Sequence, residues 1–171
     1  MSLKLRLTLA GVLVSSAAFS GSAAAAPIES LQPMAFLAGH CWKGDFPDGK
    51  QTDEHCFSWL YDGKFLRDVH TVRASGKPDY VGETTYFFDS SAKRLEYLYI
   101  ENKGGFSRGL VSTEGDALVF PATPFVTAGK TQHYRARWQR SGDGAYDVIT
   151  ELQGDGGWKP WFKMHMQKTA S

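Results

Sequence analysis

The sequence lacks any run of about 20 apolar residues, the length a helix needs to cross a bilayer, so no membrane span is expected. It also lacks an excess of charge of either sign: 19 basic and 18 acidic residues leave a formal charge of +1. That balance gives nucleic acid and anionic membrane no electrostatic handle, and neither is expected as a partner. There is no G-x-S-x-G, no phosphate-binding loop, no C-x-x-C and no H-E-x-x-H. None of the corresponding hydrolase, nucleotide, redox or zinc-protease chemistries therefore selects a residue. Beyond residue 40 no segment holds a helical period, and no internal repeat or low-complexity tract is present.

Cysteine is scarce, with Cys41 and Cys56 alone, and the N-terminus indicates their compartment. Lys4 and Arg6 precede an apolar run from Leu7 to Val14 and then small residues ending in Ala23-Ala24-Ala25-Ala26 before Pro27. This is the pattern of a secretory signal peptide cut near Ala26, and residues 1–25 are assigned to it. Its removal takes away Lys4 and Arg6 and moves the formal charge from +1 to −1. No cysteine near the cut marks a lipid anchor. A periplasmic or secreted location is expected, where disulfides persist, so Cys41 and Cys56 are read as one bridge rather than as a metal or redox pair.

What the chain does contain is β-branched and aromatic residues in short segments. At 171 residues one domain is expected. Residues 26–38 carry Leu31, Met34, Phe36 and Leu37, which suits a short helical or 3₁₀ turn limited by Pro33. Turn residues then divide residues 39–171 into strands at 40–46, 51–60, 64–73, 80–88, 94–101, 105–112, 117–121, 131–140, 145–153 and 159–167. Consecutive hairpins without a crossover give an antiparallel meander, and so many strands leave two raw edges unless the sheet closes. The expected fold class is therefore all-β, an antiparallel up-and-down barrel of about ten strands. The stretch from Ala122 to Lys130, with Pro124 and Gly129, reads as the longest loop and a candidate lid.

Hairpin register assigns side chains to faces. Asp48-Gly49 as a two-residue turn sets Cys41 opposite Cys56 and Trp42 opposite His55, close enough for a bridge on the outside of the barrel. The same register puts His40, Trp42, Phe46, His55, Phe57 and Trp59 on one face, and Cys41, Lys43, Asp45, Thr52, Glu54, Cys56 and Ser58 on the other. A Pro47-Asp48 turn with Gly49 in a bulge would instead oppose Cys41 to His55 and split both groups. Asp62-Gly63 as the next turn adds Leu66, Asp68 and His70 to the aromatic face.

His40, His55, His70 and Asp68 on that face are the sharpest chemical grouping. Imidazoles beside a carboxylate can hold a metal, relay a proton or orient a ligand, but the spacing of the histidines matches no standard metal signature. They are read as lining a polar pocket, with no metal expected. Lys103-Gly104 as a turn gives a second candidate set, Tyr97, Tyr99 and Arg108 on one side, in which Arg108 could anchor a carboxylate. The alternative has Leu98 and Ile100 facing in and Arg108 solvated, and both stand. In the last two candidate regions, Tyr134 and Trp138 are expected inward with Arg135 and Arg137 outward. Phe162, Met164 and Met166 form the inward set of the final strand, which turns His165 outward.

Phe36-Leu37-Ala38-Gly39-His40-Cys41-Trp42-Lys43-Gly44 resembles the opening L-x-G-x-W-x-G strand of the lipocalin-like (calycin-type) bacterial barrels. The runs from Gly82 to Asp89, Tyr97 to Ile100 and Gly105 to Gly109 resemble their middle hairpins. The resemblance implies a barrel with a cavity. It extends to the nitrobindins, ten-stranded haem-binding barrels, and implies His165 as the haem ligand, against the outward placement given by alternation. The expected function is binding of a small, partly apolar ligand by His40, Trp42, His55, Phe57, Trp59, Asp68, His70, Tyr99 and Arg108, with no cofactor. The alternatives are a haem protein acting on nitric oxide or peroxynitrite, and an isomerase or hydrolase using the inner histidines and Asp68.

Overall fold

The computed structural model describes residues 26–169; the expected signal peptide, residues 1–25, lies outside them. Ten strands follow a single short 3₁₀ helix, Glu29–Met34: β1 Cys41–Asp45, β2 Gln51–Leu60, β3 Phe65–Ala74, β4 Tyr80–Asp89, β5 Arg94–Glu101, β6 Phe106–Glu114, β7 Ala117–Thr127, β8 Lys130–Arg140, β9 Ala145–Gly154 and β10 Gly157–Lys168. Each strand pairs antiparallel with its neighbours in sequence, and β1 also pairs with β10, closing an up-and-down barrel without a free edge. The architecture is consistent with the lipocalin-like fold that the resemblance implies. No helix among the described residues is long and apolar enough to cross a membrane.

Alternation along the strands sends Trp42, Phe57, Leu66, Tyr86, Tyr97, Phe120, Trp138, Tyr146, Met164 and Met166 into the interior. The aromatic rings meet edge-on or tilted, as between Phe120 and Trp138 at 4.7 Å and Trp42 and Tyr146 at 5.3 Å. One end of the barrel is closed by the N-terminal segment. Leu31, Met34 and Leu37 are fully buried there, the Trp42 indole N–H donates to the Leu37 carbonyl at 3.1 Å, and the Ile28 amide donates to the Gly63 carbonyl at 3.1 Å. At the opposite end lie the β1–β2, β3–β4, β5–β6, β7–β8 and β9–β10 turns.

The first hairpin has the expected register, with Cys41 opposite Cys56 and Trp42 opposite His55, and the two cysteines are bonded across Cα atoms 4.0 Å apart. The turn differs from the two-residue form expected. The Gly49 amide donates to the Phe46 carbonyl and the Phe46 amide to the Gln51 carbonyl, so residues 47–50 form a four-residue loop built on Pro47-Asp48, with Gly49 at φ +66°. Lengthening a two-residue loop by one residue on each side preserves the pairing. The second hairpin, His55 opposite His70 and Phe57 opposite Asp68, matches its expected register.

Two further expectations fail. Between β5 and β6 the Glu101 amide donates to the Gly105 carbonyl, leaving a three-residue loop at 102–104 that is closed by the Gly104 amide donating to the Glu101 carbonyl and by the Glu101 carboxylate accepting from the Lys103 and Gly105 amides. One added loop residue shifts the pairing, so Leu98 rather than Tyr99 opposes Arg108. Residues 122–130 are not a lid: β7 continues to Thr127, and Thr127 pairs with Lys130 across a tight turn at Ala128-Gly129. A register shift between Phe120 and Thr123 accommodates Pro121, and the Ser107 hydroxyl donates to the Pro124 carbonyl at 2.7 Å.

Candidate functional site

A cavity of about 720 Å³ occupies the half of the barrel away from the N-terminal segment. Its wall is largely apolar, with Phe120, Trp138, Val148 and Met164 among the lining side chains, while Lys77, Lys103 and Trp161 stand at the mouth end. One side of the wall is polar, and it is built by adjacent strands β2, β3, β4 and β5. His55 and His70 face each other across the β2–β3 ladder with rings stacked 4.8 Å apart. Two residues back along β2, on the same face, is Asp53.

The Asp53 carboxylate bridges the histidines. One oxygen lies 3.1 Å from His70 Nδ1 and the other 3.2 Å from His55 Nε2. Each imidazole has a second partner on its far nitrogen: Asp68 Oδ2 is 2.8 Å from His55 Nδ1, and the Tyr99 hydroxyl is 3.1 Å from His70 Nε2. Tyr99 is itself 2.6 Å from the Tyr80 hydroxyl. All four charged-type side chains are shielded: Asp53 is 6 %, Asp68 2 %, His55 13 % and His70 12 % exposed. Asp68 Oδ1 has no hydrogen-bonding partner among the described residues. Gly82 completes the arrangement, because a Cβ there would overlap His70 Nε2 and lie 2.5 Å from Tyr99 Cε2. A side chain at 82 would occupy the space in which the His70–Tyr99 contact is made.

These contacts govern protonation. Burial disfavours the charged form of His55, but the Asp68 and Asp53 carboxylates beside it hold its pKa well above the ordinary histidine value. Burial likewise pushes Asp53 up, and the two histidines outweigh it, holding Asp53 below the ordinary carboxylate range. Burial raises Tyr99 and Tyr80, so both remain neutral hydroxyls able to donate and accept. A second polar array lies elsewhere on the wall, where the Tyr134 hydroxyl is 2.7 Å from that of Tyr97 and 3.3 Å from Ser107 Oγ.

The structure brings together three of the expected ligand-binding histidine and aspartate positions, His55, Asp68 and His70, with Tyr99. It separates the others. His40 lies near the closed end, its ring 6.4 Å from Trp42, and Trp42 is buried beneath the N-terminal segment rather than at the cavity. Phe57 and Trp59 point inward but belong to the packed core, Phe57 stacking 6.0 Å from His55. Arg108 lies on the outer surface, where it binds Glu96 at 2.7 Å and covers the Phe87 ring at 5.8 Å; the three-residue loop put it there. His165 is outside as well, 2.6 Å from Asp147, while Met164 and Met166 are buried inside. An internal haem ligated by His165 does not fit this arrangement.

Asp53 and Tyr80 are absent from the sequence reading of the site. Asp53 shares the parity of His55, so the same alternation that chose His55 identifies it. Tyr80 lies at the first position of β4, where no turn registered it against β5. A comparison with known protein families and with curated proteins finds no match for this chain.

Proposed function

We propose that this is an exported binding protein of the periplasm or extracellular space that takes a small, partly apolar molecule into the open half of its barrel. The observation that carries the reading is the cavity itself. Its volume of about 720 Å³ falls in the range of small-molecule sites, roughly 300–1,000 Å³. An aromatic and aliphatic wall supplies contact area, and the polar side bearing His55, His70, Tyr80 and Tyr99 supplies orientation. The export pattern at residues 1–25 and the Cys41–Cys56 bridge support the location. The test is titration with an environment-sensitive apolar dye. We expect saturable binding by the native protein, weakened at least about tenfold by Ala136→Trp, since filling a lining position removes contact volume. Leu98→Trp on the outer surface should leave it unchanged. Dye binding that is absent, or indifferent to Ala136→Trp, removes the proposal.

A second reading, an isomerase or hydrolase, draws on one observation: His55 is held between two carboxylates at the wall of a cavity large enough for a substrate. Turnover in a substrate screen that persists undiminished in both His55→Ala and His70→Ala would remove it.

A further inference from the structure

Asp53, His55 and His70 each offer a ligand atom to one point on the cavity wall, and these atoms all lie within 4.8 Å of one another. We propose that they form a binding site for one divalent transition-metal ion of the borderline class, such as Zn²⁺ or Fe²⁺. The ion would be held by His55 Nε2, His70 Nδ1 and an Asp53 oxygen, with at least one coordination position open to the cavity. This inference is independent of the apolar-ligand reading.

Spacing supplies the first argument. Ligand atoms bound at about 2.0–2.1 Å in tetrahedral geometry lie roughly 3.3 Å from one another; here His70 Nδ1 is 3.1 Å from one Asp53 oxygen and His55 Nε2 is 3.2 Å from the other, and one ligand atom from each of the three residues lies within 4.8 Å of the other two. Asp53 reaches both histidines at once, so modest withdrawal of its carboxylate leaves three donors around one point.

Orientation supplies the second. Histidines that bind metals give their other ring nitrogen to a carboxylate, carbonyl or water, which fixes the ring. His55 has such a partner in Asp68, 2.8 Å from its Nδ1, and His70 is oriented instead by the Tyr99 hydroxyl, 3.1 Å from its Nε2. The nitrogens turned toward Asp53, itself a proposed ligand, are the pair that would meet the ion. Gly82 makes room for the His70 ring in this position. Asp68, which is buried and lines the cavity, keeps Oδ1 without a protein partner among the described residues. That oxygen is available to a donor entering the site.

Donor chemistry fixes the class of ion. Two imidazoles and one carboxylate suit zinc and the later first-row divalent ions, whereas magnesium and calcium prefer oxygen ligands throughout. Three protein ligands leave an open position, as in catalytic rather than structural zinc sites.

The test uses the full mature protein, stripped with a chelator and titrated with Co²⁺, whose visible absorption reports its ligand field. One equivalent should bind, and Zn²⁺ should displace it. His70→Ala and Asp53→Asn should weaken binding by more than about 100-fold, and Asp68→Asn, which alters only the partner of a ligand, by about 10–100-fold. Circular dichroism establishes that each variant is folded, and Asp53→Asn preserves the shape of the side chain if His70→Ala does not fold. Binding that is equal in native protein, His70→Ala and Asp53→Asn overturns the proposal. So does binding lost in His165→Ala but kept in His70→Ala, which would place the ion on the exposed His165–Asp147 pair. Displacement of Co²⁺ by Mg²⁺ or Ca²⁺ at comparable concentration overturns the assigned class.

Discussion

Gly82 stands where a β-carbon would collide with the imidazole of His70 and the ring of Tyr99, so the contact between those two depends on a missing side chain on a third strand. Substitution by alanine forces one or both rings aside. We expect Gly82→Ala to cost about 1–3 kcal/mol, the usual range for overpacking, measured by denaturant unfolding, and to perturb the His70 ring signals in an NMR spectrum. Gly144→Ala, with nothing within 4 Å of the added carbon, is the control and should change stability little. On the outer surface, Glu96 is 2 % exposed beneath the half-exposed Arg94 and Arg108. Hydrogen bonds from Arg94 and then Arg108 hold its carboxyl below its ordinary value of 4.5. A folded-state pKa below the unfolded one stabilises the protein fully above the unfolded value, and the contribution is lost as pH falls through the folded value. Glu96→Gln should therefore flatten the acid side of the stability profile below about pH 4.5, read from unfolding midpoints across pH.

At the scale of single elements, the strand that most needs support is β1. It has five residues, and its register with β10 consists of Trp42 opposite Lys168 and Lys43 opposite Gln167. The bridge from Cys41 to Cys56 ties this short strand to β2, closing a separation of 15 residues. Replacing both cysteines with serine should lower stability by about 3 kcal/mol on the loop-entropy estimate, seen as a lower denaturant midpoint than that of the oxidised native protein. Gly44 sets how closely the seam can approach, since a Cβ there would lie 2.6 Å from Met166 Sδ and 2.8 Å from the His165 carbonyl oxygen. The thioether can move but the backbone oxygen is fixed in the strand, so Gly44→Val should destabilise more than Gly82→Ala in the same assay.

The same elements show what the sequence made legible. Turn residues and alternation located the strands and paired β1, β2 and β3 correctly, because a disulfide and an aromatic face both demanded one register. No comparable pair of demands acted on β5 and β6. There the length of the loop alone decided the register, and Glu101 binding back to Lys103 and Gly105 is a folded-state contact that residue type does not announce. A shift of one residue put Arg108 on the surface, as the second alternative had it, while Leu98 and Ile100, which that alternative turned inward, are exposed and Tyr97 is buried. Pro121 and Pro124 misled for a related reason: proline breaks a regular ladder, but a bulge beside Pro121 and a hydroxyl bonded to the Pro124 carbonyl let β7 continue. In the site, parity found His55, Asp68 and His70, whereas height along the barrel, which separates His40 from them, is set by strand stagger.

For the molecule as a whole, the two ends of the barrel have different roles. The N-terminal segment fills one end with Leu31, Met34 and Leu37, and the cavity opens at the other. Leu31→Ala should therefore cost about 2–5 kcal/mol as a fully buried large-to-small change, while leaving dye affinity in the cavity near that of native protein. Loss of dye binding in a folded Leu31→Ala variant would mean that floor and cavity are coupled. The closure without sheet edges also means that any organic ligand enters past the mouth turns rather than between strands.

The contact of Ile28 with Gly63 and the docking of Thr169 onto Cys41 at 2.9 Å place both described ends of the chain at the sealed base. A linker, surface attachment or fused partner joined at either end thus leaves from the base and keeps the mouth facing outward. Immobilised through either end, the barrel presents its mouth to the surrounding solution, which makes it suited to capture measurements on a surface.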